Sequence, residues 1–91
     1  MTIEAVLKEA LYNILSSVEA PGLNVLRADS DLFCNLDSLS IVDMLLEAEM
    51  LLEAATGRYV TLADETIFDA SRSPLRSWTS WVSYVEGKYD C

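Results

Sequence analysis

Histidine is absent from this 91-residue chain. Bases are scarce: six lysines and arginines stand against 15 aspartates and glutamates, a formal net charge of −9. Without histidine the chain lacks the usual general base and the commonest metal ligand. There are two cysteines, Cys34 and Cys91, with no C-x-x-C spacing, so no zinc site is expected. Cys34 is expected to be a small buried hydrophobe and Cys91 to lie on a frayed tail, with neither catalytic. No apolar run approaches the roughly 20 residues of a membrane span. Met1-Thr2-Ile3-Glu4 lacks the basic start and apolar core of a signal peptide, so a cytoplasmic protein is expected. The shortage of bases argues against nucleic acid and anionic membranes as partners, since both repel an acidic chain.

What is present points to one small helical domain. Hydrophobic residues make up 52% of the chain, too many for disorder. At this length they supply a modest core but not an elaborate enclosed active site. Residues 1–91 are read as a single domain with a core over about 2–87 and a tail at 88–91. Ile3, Leu7, Ala10, Leu11, Ile14, Leu15 and Val18 recur at three- and four-residue spacing and define a first helix. Thr2 is its N-cap, and Glu19-Ala20-Pro21-Gly22 ends it. A long connection from Pro21 to Asp37 follows. Its Leu23, Val25, Leu26, Leu32 and Phe33 are expected to pack on the core, and its Asn35 tolerates a positive φ.

The second helix is expected from about Ser38 to Ala55, capped by Asp37 and ended by Thr56-Gly57. Val42, Met44, Leu45, Ala48 and Leu52 are assigned to its core face. It holds more apolar residues than one stripe buries. Leu39, Leu46 and Met50 fall on another face with Asp43, Glu47 and Glu53. Periodicity leaves two readings level, extra core or a mixed apolar and acidic docking strip. A short helix is expected over Thr66–Ala70. A last helix starts at Ser73 and Pro74, buries Leu75, Trp78, Trp81, Val82 and Val85, and closes at Gly87. Trp78 and Trp81 read as core anchors, and no alternating run signals a strand.

Leu36-Asp37-Ser38-Leu39-Ser40 puts a serine hydroxyl at the first turn of the second helix with no base nearby. Lys8 and Lys88 lie near the chain ends, so a hydrolase using Ser38 is rejected. A helix N-terminus has free backbone N–H groups and partial positive charge, which suit a phosphate. Ser38 therefore reads as a residue to be modified, not one that attacks. Acids crowd around it: between Arg27 and Arg72 the only base is Arg58. The same span holds Asp29, Asp31, Asp37, Asp43, Glu47, Glu49, Glu53, Asp64, Glu65 and Asp69. Basic protein surfaces are the natural complement.

This all-α arrangement, with its long first loop and Asp37-Ser38-Leu39 opening an acidic helix, resembles the acyl carrier proteins and the related peptidyl and aminoacyl carriers. Leu36 before the tripeptide and Ser40-Ile41-Val42 after it match the family. So do Asp29-Ser30-Asp31-Leu32-Phe33 in the loop and Gly57-Arg58-Tyr59-Val60 after the helix. The resemblance implies a small four-helix bundle of three main helices and one short one. It further implies a discrete acyl or aminoacyl carrier, with no catalysis of its own and no metal. Ser38 would carry a 4′-phosphopantetheine arm, with Asp37 and Leu39 flanking the attachment. Leu39, Asp43, Leu46, Glu47 and Met50 would form the partner-docking surface. The implied partners are a phosphopantetheinyl transferase, an acyl- or aminoacyl-activating ligase, and downstream synthase or transferase enzymes, met by a monomer. Ser40, Trp78 and Trp81 differ from fatty-acid synthesis carriers and lean toward a secondary-metabolite or other specialised pathway. The alternative is a small acidic helical adaptor that binds basic partners without that modification, with phosphorylation of Ser38 as a variant.

Overall fold

The computed structural model describes residues 2–16, 23, 25–63, 65–69 and 71–90. Among them are four α-helices and no strand. They are α1 (Ile3–Leu15), α2 (Leu32–Asn35), α3 (Ser38–Thr56) and α4 (Trp78–Asp90). In α1 the Thr2 hydroxyl accepts the Ala5 N–H at 3.1 Å, and Val6, Leu7, Ala10, Leu11 and Ile14 form the buried stripe. Val18 and the Pro21-Gly22 stop lie outside the described residues.

Leu23 is fully buried and Leu26 packs beside it, whereas Val25, assigned to the core from sequence, is exposed. The connection also contains a helix of its own. Asp31 caps α2 by accepting the Cys34 N–H at 3.0 Å, and Leu32 turns inward. That turn corrects two expectations. Cys34 is exposed, because Leu32 takes the inner face. Asn35 is helical, not left-handed; its amide donates to the Asp31 carbonyl at 2.6 Å, and among the described residues no non-glycine has a positive φ.

α3 buries Ile41, Met44, Leu45, Ala48 and Leu52, while Val42, also assigned to the core, is exposed. It runs antiparallel to α1. Thr2, Ile3 and Val6 border the same small cavity as Leu52, Ala55 and Thr56, and Asn13 reaches Glu47 at 3.3 Å. α4 packs on α1 as well, where the Trp78 indole donates to Glu4 at 2.9 Å. Both tryptophans are buried as expected, with Trp81 at the centre of the core.

The end of the chain departs from the expected single helix. The short element is a 3₁₀ turn, Glu65–Phe68, and Ala70 lies outside the described residues. Ser73 caps a second 3₁₀ turn, Pro74–Arg76, by accepting the Leu75 N–H at 3.1 Å. Ser77 then breaks into extended backbone, and its hydroxyl accepts the Ser80 N–H at 3.1 Å. Two serines four residues apart each offer a cap, so the chain starts twice. Gly87 does not close α4, which continues to Asp90. Beyond it Tyr89 bonds Arg58 in both directions, at 3.1 and 3.3 Å, and these contacts carry the helix through the glycine. Cys91 lies outside the described residues.

Gly57 ends α3 in the left-handed region at φ 75°, and a Cβ there would meet nothing within 4 Å. The cost of a side chain at this position is therefore conformational alone. Gly57→Ala is expected to lower stability by about 1 kcal/mol, read as a shifted urea midpoint with unchanged slope.

Candidate functional site

Ser38 is the first residue of α3, directly after its cap. Leu36 is buried and anchors the approach, so Asp37 and Ser38 are carried out to the surface. The Asp37 carboxylate accepts the Ser40 N–H at 2.7 Å, and its carbonyl accepts the Ile41 N–H at 2.9 Å. The Ser38 amide is left without an intrahelical acceptor, while the Leu39 amide, like that of Ser40, faces the Asp37 carboxylate. The Ser40 N–H, assisted by its hydroxyl, holds the Asp37 carboxyl below its ordinary value. Among the described residues the Ser38 hydroxyl makes no hydrogen bond, so no base is engaged with it.

Leu39, Leu46 and Met50 are 72%, 56% and 60% exposed, which separates them from the core. With exposed Val42 they form an apolar strip down α3 that begins beside Ser38. Asp43 is exposed on the strip. Glu47 is half-buried at its edge, where it accepts from Asn13. Neither acid is in an ion pair among the described residues. Leu39, Asp43, Leu46, Glu47 and Met50 therefore lie together along one face of the helix that Ser38 begins.

Other acids of the same span are committed to the fold. Asp31 pairs with Arg76 at 3.2 Å, and Arg76 also covers the Phe33 ring. Asp69 bonds Arg72 and Ser71, and these contacts lower its carboxyl to about 2. Glu49 is buried, and sequence reasoning missed it by counting it with the surface acids. Its signal was there: Glu49 lies four residues after Leu45 and three before Leu52, in phase with the core stripe. Asp64 lies outside the described residues.

Among the described residues, open grooves of about 60 and 220 Å³ lie between α1 and residues 51–56 of α3. They sit roughly 20 Å along the helix from Ser38. No cluster of potential metal ligands occurs among the described residues, and none of their helices is long and apolar enough to cross a membrane. The site offers an exposed hydroxyl at a helix N-terminus and an apolar, acid-flanked face beside it.

The Asp37 cap is testable through its titration. Its carboxyl is lowered in the fold from an ordinary 3.8, so its stabilising effect is full above 3.8 and fades as pH falls through the lower folded value. Asp37→Ala is expected to lower the urea midpoint at neutral pH, with the gap to wild type closing in acid. Equal midpoints at neutral pH would show that the cap contributes nothing. Compared with protein-family models, curated proteins and solved structures, the chain matches none.

Proposed function

We propose that this chain is a discrete carrier protein that holds an acyl or aminoacyl group on a 4′-phosphopantetheine arm attached to Ser38. The observation that carries the reading is the exposed, unengaged Ser38 hydroxyl at the start of α3, continuous with the apolar and acidic strip. A group that must visit separate enzymes needs an accessible attachment point next to a docking face, and an exposed serine adjoining an exposed apolar and acidic strip supports that reading. The residues fit the arm's phosphodiester. The Ser38 amide has no intrahelical acceptor, and the helix end favours an anion. Asp37 is already turned onto the Ser40 N–H, so it strengthens the helix start without occupying the Ser38 hydroxyl.

Attachment forms one bond from the Ser38 oxygen to phosphorus. The pyrophosphate bond of coenzyme A breaks, and adenosine 3′,5′-bisphosphate leaves. The serine proton passes to a base of the transferase, consistent with the lack of one on this chain. Once attached, the arm's thiol holds a carboxylic acid as a thioester. The role of this chain is to present it, with Leu39, Val42, Leu46 and Met50 offering apolar contact. Asp43 and Glu47 select basic partner surfaces.

The test is intact-protein mass after incubation with coenzyme A and a phosphopantetheinyl transferase of broad specificity. Wild type is expected to gain one phosphopantetheine and Ser38→Ala none. A folded wild-type protein that stays unmodified, with the source organism's own transferase as well, would overturn the proposal and favour the unmodified acidic adaptor. Asp43→Lys and Glu47→Lys are expected to slow loading by the activating enzyme roughly tenfold or more while leaving the melting curve nearly unchanged. Loading of the wild type should also slow as salt is raised. Normal loading of both folded variants would reduce the acids to a solubilising face.

A further inference from the structure

Glu49 is the one charged side chain buried among the described residues, and the proposed carrier role makes no use of it. It sits on the core stripe of α3, yet both of its oxygens are engaged by the segment that leaves the helix. The Tyr59 hydroxyl donates to Oε1 at 2.9 Å and the Leu62 N–H donates to Oε2 at 2.8 Å. A carboxylate out of water is costly unless hydrogen-bonded, so these two donors are what let Glu49 stay inside. The Glu49 hydrogen bond in turn holds the Tyr59 phenol above its ordinary 10.0.

The same segment is tied on its other side to α4. The Tyr84 hydroxyl donates to the Leu62 carbonyl at 2.8 Å, and the Tyr84 ring stacks on Trp81 with centroids 5.9 Å apart. Arg58 and Tyr89 exchange hydrogen bonds at the segment's start. α1 packs on both α3 and α4, and residues 58–62 bridge α3 and α4. That bridge has no helical ladder of its own. Apart from the buried Leu62 side chain, it hangs between the helices on polar side-chain contacts.

We propose that residues 58–62 form a strap latched by Glu49, and that the seam between α3 and α4 opens there as one unit while α1 stays packed on α3. The opposing interfaces differ in kind. α1 meets α3 through an apolar stripe along the length of both helices, whereas of residues 58–62 Leu62 alone is fully buried and the rest is tied by polar contacts that water can replace. Opening would expose Leu62 and the Tyr84–Trp81 stack about 16 Å along α3 from Ser38, giving the core a door away from the attachment site.

Amide hydrogen exchange on the intact, unmodified chain tests this independently of any carrier activity. In wild type, Leu62 and the C-terminal half of α4 are expected to exchange through a shared opening less protected than Leu11 and Leu45. Glu49→Gln should speed exchange at these sites roughly 10- to 100-fold, and Tyr84→Phe should act in the same direction by freeing the other side. Leu11 and Leu45 should hold their wild-type rates in both variants. Wild-type Leu62 exchanging only as fast as Leu11 would overturn the proposal. So would a uniform acceleration of all core amides in either variant. Should Glu49→Gln fail to fold, the wild-type rates and Tyr84→Phe still decide.

Discussion

The burial of one stripe of α3 against α1 constrains the rest of this molecule. Ile41, Met44, Leu45, Ala48 and Leu52 turn inward onto Val6, Leu7, Ala10, Leu11 and Ile14. A buried large aliphatic side chain is worth about 1.5–3 kcal/mol. Rotating α3 to hide Leu39, Leu46 and Met50 would bury three side chains at the expense of five already well packed. The helix therefore leaves the three in water. Their exposure follows from geometry at about 100° per residue.

The same packing sets the start of α3. Leu36 is drawn into the core, so the next two residues must leave it, and Asp37 meets the Ser40 N–H as a cap. Ser38 is consequently displayed without being held. Around it the acids divide by task. Asp31 and Asp69 are held by arginines, and Glu49 is held by the strap. Among the described residues Asp43 has no ion partner and Glu47 has only Asn13. The strong net charge of the sequence thus overstates the charge free to meet a partner near Ser38.

At the other end of the molecule, polar side chains decide how helices join. Ser77 interrupts the run from Pro74 and restarts α4, with Thr79 tying its first turn to the Ala28 carbonyl at 2.9 Å through the backbone. Trp78 reaches Glu4 and Tyr84 reaches Leu62, so α4 is fastened to α1 and to the strap by aromatic residues with one polar atom each. Trp81 lacks such a fastening: its buried indole N–H has no partner among the described residues.

The sequence by itself determined the helical class, the caps at Thr2 and Asp37, the glycine stop at Gly57, the two buried tryptophans and the exposed start at Ser38. These depend on periodicity and on hydrogen bonds between residues three or four apart, which are local and written in order along the chain. Only the tertiary structure showed that Leu39, Leu46 and Met50 are not extra core, because the width of the buried stripe depends on what α3 packs against. It also decided what local rules misjudged. Cys34 and Val25 face water because Leu32 and Leu23 take the inner positions. Glu49 goes inside because Tyr59 and Leu62, 10 and 13 residues away, bring it donors. Gly87 stays helical because Tyr89 finds Arg58 across 31 residues. The outcomes at Glu49 and Gly87 rest on partners distant in sequence, and that is the information a local pattern does not contain.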